Sequence, residues 1–140
     1  MRIAVVTAFM LLALQSKTEN VLIQSVIDGN TIEVAGYGRL QLAGIKAPVV
    51  PRNRRVAPDP IAHDARQRLD VILTRRFARL EFVRRTAVYV LLDDGTFVNA
   101  LLAREGLARV TARPSDPHYK ELDAAESEAK RLHRGLWTLR

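Results

Sequence analysis

The chain has no cysteine in its 140 residues. Disulfide staples and thiolate metal sites are therefore excluded. Stability must come from an apolar core, which a chain of this length is able to bury unaided. The compartment stays open, because exported proteins also do without cysteine. Histidine is scarce as well. His63, His118 and His133 are scattered, on helix surfaces or in a loop, and none stands at metal-ligand spacing with an acid, so no histidine-based centre is expected. Also lacking are internal repeats, low-complexity tracts and any linker long enough to separate a pair of domains, and the length itself fits one domain.

What is present is positive charge. The formal balance is +7, carried mostly by arginine. Arginine forks grip phosphate bidentately and stack on bases, so a polyanion such as nucleic acid or an anionic polysaccharide is the expected partner class. A compositional preference for arginine would produce the same excess. The N-terminus reads Met1-Arg2, an apolar run from Ile3 to Leu14, then polar Gln15 to Asn20. A positive start with a short apolar run fits a secretory signal peptide over 1–16, with Leu14-Gln15-Ser16 as the best cleavage candidate. The run is shorter than the roughly 20 residues of a membrane span, so no transmembrane span is expected. A secreted or periplasmic domain over 20–138 follows; an uncleaved anchor or a packed N-terminal helix are the alternatives.

Short strands separated by glycine turns dominate the first third. Val21–Val26 alternates and leads into the turn Asp28-Gly29, Thr31–Val34 is a strand, and Gly36–Gly38 turns the chain into a strand over Leu40–Ile45, with Leu40, Leu42 and Gly44 on one face. Pro48–Pro60 is a loop rich in Pro and Arg. Asp59-Pro60 then reads as an N-cap followed by a proline at the first helical position. Ala62, Ala65, Leu69, Ile72 and Leu73 follow at helical spacing. Arg79–Val83 and Thr86–Leu92 read as strands, Asp94-Gly95 as a tight turn, and Asn99–Ala108 as a short helix with Leu101, Leu102 and Leu107 as its apolar face. A last helix runs from about Pro117 to Leu132 on Leu122, Ala125, Ala129 and Leu132, and Gly135 breaks it.

Four stretches in order carry a resemblance. They are Val26-Ile27-Asp28-Gly29-Asn30-Thr31-Ile32-Glu33-Val34, Leu40-Gln41-Leu42-Ala43-Gly44-Ile45-Lys46-Ala47-Pro48-Val49, the run from Asp93 to Ala108, and Tyr119-Lys120-Glu121-Leu122 continuing through Ala129 to Gly135-Leu136-Trp137. Together they resemble the staphylococcal nuclease-like (thermonuclease) family over roughly Val21–Trp137. The resemblance implies an α+β, mainly β fold: a five-stranded barrel of the oligonucleotide-binding type (OB-fold) with about three helices. Short alternating strands joined by glycine turns independently fit a small closed barrel. The resemblance also implies Ca²⁺-dependent phosphodiesterase ancestry.

The family reads Asp-Gly-Asp-Thr in the first stretch and Arg-Leu-x-Gly-Ile-Asp-x-Pro-Glu in the second. Here the corresponding positions hold Asn30, Gln41, Lys46 and Val49. In the family they serve a calcium ion, a phosphate and the attacking water. Asparagine can ligate Ca²⁺ only without charge, and Lys46 brings a cation to the place of an acidic ligand. At about 4 Å and an effective dielectric near 20, two unit charges repel by about 4 kcal/mol, and a dication by about twice that. A backbone oxygen at Ala47, a ligand in the family, would survive alone. Val49 cannot move a proton. The Ca²⁺ site therefore reads as lost, with no metal ligands and no cofactor.

Arg85 aligns with the family's second arginine, the one surviving catalytic candidate, although the glycine-containing loop before it is missing. Arg39 shares the strand face of Gln41, about 6.6 Å away, and is a candidate phosphate contact, as are Arg52, Arg54 and Arg55 in the proline loop. Asp28 has a sufficient role in its turn, and Asp93 and Asp94 cap a hairpin. Tyr37, Tyr89 and Tyr119 offer rings for stacking on bases, with Tyr89 better placed for the core. The expectation is an exported thermonuclease-type protein without Ca²⁺-dependent nuclease activity. It would bind a polyanion, single-stranded nucleic acid or envelope polysaccharide, or a protein partner. The alternatives are an active nuclease with a rearranged site and an accessory protein of envelope polysaccharide production.

Overall fold

In a computed structural model, which describes residues 19–57 and 59–139, the chain folds as strands β1 (Glu19–Asp28), β2 (Thr31–Val34), β3 (Gly38–Leu42) and β4 (Ile45–Lys46), helix α1 (Pro60–Leu73), strands β5 (Phe77–Arg84) and β6 (Ala87–Leu91), helix α2 (Val98–Arg104), strand β7 (Arg109–Val110), helix α3 (Tyr119–Arg131) and a 3₁₀ turn (Gly135–Trp137). The segment 1–16, read as a leader, lies outside the described residues.

Five strands close a barrel in the order β1-β2-β3-β6-β5. Alternation explains its inside: Ile32 and Val34 of β2, Leu40 and Leu42 of β3, Ala78 and Leu80 of β5, and Val88 and Val90 of β6 are all buried. Full burial of each Ile, Val or Leu side chain among them contributes about 1.5–3 kcal/mol. All neighbours run antiparallel except β3 and β6, which pair in parallel through Gln41–Ala87 and Leu42–Val88. That parallel closure puts the β2–β3 and β5–β6 turns at one end of the barrel.

The strand read over Leu40–Ile45 is interrupted. Gly44 takes φ +74°, a conformation glycine adopts freely, and the chain turns at Ala43-Gly44. Ile45 and Lys46 then pair not with the barrel but with Val110 and Arg109 of β7.

Helix α1 starts where its cap requires. The Asp59 carboxylate accepts from the Ile61 N–H at 2.9 Å, with Pro60 beside it. Its buried face is Ala62, Ala65, Leu69, Ile72 and Leu73, which packs on β1. A bidentate pair from Arg68 to Glu105, at 2.8 Å on each arm, links α1 to the end of α2.

Helix α2 departs from its expected face. Leu101 is only half-buried, whereas Asn99 is completely buried. The Asn99 side chain accepts from the Val90 N–H at 2.9 Å and donates to the carbonyls of Ala43 at 2.8 Å and Val88 at 3.2 Å. It thus ties α2 to β6 and to the end of β3. Leu132, read as part of the α3 face, is exposed, because the helix ends at Arg131 and His133 turns through φ +54°. Gly106 and Gly135 meet backbone to backbone. A Cβ on either would lie 2.2 Å from a carbonyl oxygen of the other segment, and the Leu136 N–H donates to Gly106 at 2.8 Å.

Candidate nucleic-acid interface

The β1–β2 turn is built by Asp28, whose carboxylate accepts from the Asn30 N–H at 3.0 Å. The Asn30 carbonyl accepts from the Leu42 N–H at 2.8 Å, which ties this turn to β3. Gly29 lets the turn seat closely: a Cβ there would stand 2.7 Å from the Cβ atoms of both Ala47 and Ala65. This packing holds the stretch after β4 against the β1–β2 turn. Asn30, Gln41, Lys46, Ala47 and Val49 consequently line one depression of about 350 Å³, together with Asp28, Thr31, Ile45 and Thr111.

A second depression of about 190 Å³ shares Asn30, Gln41, Ile45 and Thr111 with the first and continues to Val83, Arg84, Tyr89 and Asp116. The two form one cleft along the outer side of β3. Among the described residues, acids line it only at Asp28 and Asp116. Asp28 is engaged in its own turn, and Asp116 accepts from the Arg113 N–H at 2.7 Å. Among the described residues no three His, Asp or Glu side chains converge where a metal ion could sit. Lys46 stands exposed on the wall, and its strand partner is another cation, Arg109. Two side-chain amides, a lysine and an alkyl group can receive an anion but supply no carboxylate to take a proton from water.

The other sequence candidates do not all converge. Arg84, not Arg85, lines the cleft; Arg85 lies in the β5–β6 turn, exposed. Arg39 points outward on β3 as expected and pairs with Glu33 of β2 at 3.6 Å, with its side chain 68% exposed. Arg52, Arg54 and Arg55 are exposed on the loop that leaves the cleft after Val49, where the Arg55 N–H donates to the Asn53 side chain at 3.0 Å. They border neither depression.

Sequence reasoning missed a cluster behind the cleft wall. His118, in a left-handed conformation at φ +62°, meets Glu81 of β5 at 2.8 Å and packs its ring against Tyr89 and Phe97 at 4.7 and 4.8 Å. No local pattern joins residues 37 positions apart. The Tyr89 hydroxyl donates to the Pro117 carbonyl at 2.9 Å. Burial pushes its pKa up, and the charges of Asp116 and Glu81 push the same way.

Among the described residues no helix is long and apolar enough to cross a membrane. No curated protein matches the chain. A closed five-stranded barrel carrying three helices is the architecture of the staphylococcal nuclease-like fold, and residues 39–139, well over half the chain, match the family described as staphylococcal nuclease homologue, to which this protein therefore belongs.

Proposed function

We propose that this protein is an exported member of the nuclease family that binds single-stranded nucleic acid or a related polyanion without metal-dependent cleavage. Lys46 carries the reading. It stands on the cleft wall beside Asn30, Gln41 and Val49, so a cation and neutral groups occupy the place where the family resemblance puts carboxylates and a general base. Such a wall attracts a phosphodiester directly and repels a divalent cation. Arg84 extends the positive surface along the cleft. Arg39, Arg85 and the loop arginines Arg52, Arg54 and Arg55 are exposed outside the cleft walls and supply phosphate contacts to a polyanion that extends past them. The basic start and apolar run at 1–16 support export.

The test is incubation of purified protein with labelled single-stranded DNA and RNA, in Ca²⁺ or in EDTA. Both nucleic acids are expected to stay intact over hours, with binding that weakens steeply as salt rises. Each phosphate contact adds about 0.7 to the slope of log affinity against log salt. Ca²⁺ is expected to leave the melting temperature unchanged, whereas a site filled at about 100 times its Kd would add about 2.7 kcal/mol. Cleavage that survives repurification and vanishes on Arg84→Ala or Arg85→Ala would refute the non-catalytic reading.

A further inference from the structure

Two exposed rings, which line neither depression, lie next to the Val83–Arg84 end of the cleft. Phe82, two residues before Arg84 on β5, continues the inward series of Ala78 and Leu80, yet it is 45% exposed. Its ring lies against Tyr37 of the β2–β3 turn, with centroids 5.2 Å apart; Tyr37 is 42% exposed. The register of β5 against β6 shifts between Phe82 and Arg84. Val83 occupies the shift, is also exposed, and forms part of the cleft wall. The parallel pairing of β3 with β6, reinforced by the Gln41 N–H donating to the Thr86 carbonyl at 2.7 Å, brings the two turns to this same end.

A single exposed ring is ordinary, but two exposed rings in contact, with exposed Val83 next to Phe82, make a contiguous apolar patch. Here it is flanked by cations: Arg39 stands two residues beyond Tyr37, and Arg84 and Arg85 follow Phe82. Gln41, in the cleft, lies on β3, the strand that follows the turn holding Tyr37. A flexible polyanion that leaves the cleft at Val83 and Arg84 has the ring pair within reach. Aromatic faces ringed by arginines suit one ligand class, an unpaired base on a charged backbone: every base offers a π-face, and an anionic polysaccharide offers none.

Resting on the proposed polyanion-binding function, we propose that Tyr37 and Phe82 form a stacking platform for an unpaired base, which makes the cleft selective for single-stranded nucleic acid over other polyanions. Val83 widens the apolar floor, and the guanidinium groups of Arg39, Arg84 and Arg85 hold the flanking phosphates.

Fluorescence anisotropy at low salt tests it, with a short labelled oligothymidylate, an abasic oligonucleotide of the same length, the corresponding duplex, and inorganic polyphosphate. The oligothymidylate is expected to bind about tenfold or more tighter than its abasic counterpart and the duplex. Phe82→Leu keeps apolar volume without a ring, and Tyr37→Leu does the same on the other turn. Each is expected to lower oligothymidylate affinity by about five- to tenfold, to leave abasic and polyphosphate binding unchanged, and to keep the melting temperature. Equal binding of the oligothymidylate and the abasic chain, or variants that weaken both alike, would overturn the platform while leaving polyanion binding intact. If neither chain nor polyphosphate binds, both the platform and the function beneath it fall.

Discussion

Removing the Asn99 carboxamide should unhinge the α2 side of the barrel. In Asn99→Ala, the Val90 N–H and the Ala43 carbonyl lose their side-chain partner inside a fully buried site. The Val88 carbonyl keeps the Ala43 N–H at 2.7 Å. Two orphaned groups at about 1–3 kcal/mol each, with a small cavity added, predict a loss of about 3–5 kcal/mol. That is a large part of the 5–15 kcal/mol typical of a small domain. Trp137, the sole tryptophan, has the Arg109 and Lys130 cations 4.7 and 4.6 Å from its ring centroid and reports urea unfolding. With a slope of about 1–3 kcal/mol per molar, the midpoint should fall by about 2 M. Asn99→Asp refines the test. Its carboxylate would face two carbonyl oxygens in the dry interior, so its folded pKa is raised above the unfolded value of about 3.9. A raised pKa gives stability fully present below about pH 3.9 and lost as pH rises through the folded value. This variant is therefore expected to become less stable between pH 4 and pH 8, about where carboxylates normally leave a protein more stable. A midpoint shift below about 0.5 M for Asn99→Ala, or a pH-independent penalty for Asn99→Asp, would refute the keystone role.

Gly29→Ala is expected to destabilise the fold by about 1–3 kcal/mol, because its Cβ meets two alanine Cβ atoms at 2.7 Å; an unchanged urea midpoint would contradict the packing. Asp94 should contribute to acid sensitivity. Its pKa is lowered by the Thr96 side-chain hydrogen bond first and the Thr96 N–H second, so its stabilisation is present above the unfolded carboxylate pKa and lost as pH falls through the folded one. Asp94→Asn should flatten that acid limb in a pH series of melting temperatures. Tyr89 acts with the opposite sign: with its pKa raised by burial, its contribution holds below about pH 10 and is lost at higher pH, and Tyr89→Phe should remove that alkaline limb at a cost of about 1 kcal/mol for the lost hydrogen bond. Restoring Asn30→Asp, Gln41→Arg, Lys46→Asp and Val49→Glu together is expected to give Ca²⁺-dependent thermal stabilisation and weak cleavage of single-stranded DNA; without either effect, the wall lacks the geometry as well as the side chains.

Local signals were legible where short-range chemistry decides structure. The Asp59-Pro60 start and all five buried residues of α1 follow from capping and a 3.6-residue period, and β2 spans Thr31–Val34 as alternation requires. What escaped depends on distant partners. The β4–β7 pair joins Lys46 to Arg109, and nothing in two residues of strand announces it. Asn99 contradicts hydropathy because its burial is decided by three backbone groups, two of them in β6. The convergence of Asn30, Gln41, Lys46, Ala47 and Val49 was legible through the motif order. The substitution of Arg84 for Arg85 on the cleft wall was not, because it depends on a register shift between Phe82 and Arg84, and one residue of slip reverses which side chain faces the site.

Residues on the cleft wall are replaceable without endangering the barrel, for a reason visible in burial. Gln41, Lys46 and Val49 are exposed and Asn30 is half-buried, and surface substitutions usually shift stability by no more than about 0.5 kcal/mol. The residues that shape the cleft are different ones: Asp28 closes the turn, Gly29 seats it on Ala47 and Ala65, and Asn99 fixes the end of β3. Groups that line the cleft and groups that shape it are therefore separable here. Three of the four replacements relative to the family pattern make the wall more positive, and the strand partner of Lys46 is a further cation, Arg109. A phosphodiester needs a bridging cation to approach a carboxylate-lined site; it needs none to approach this one.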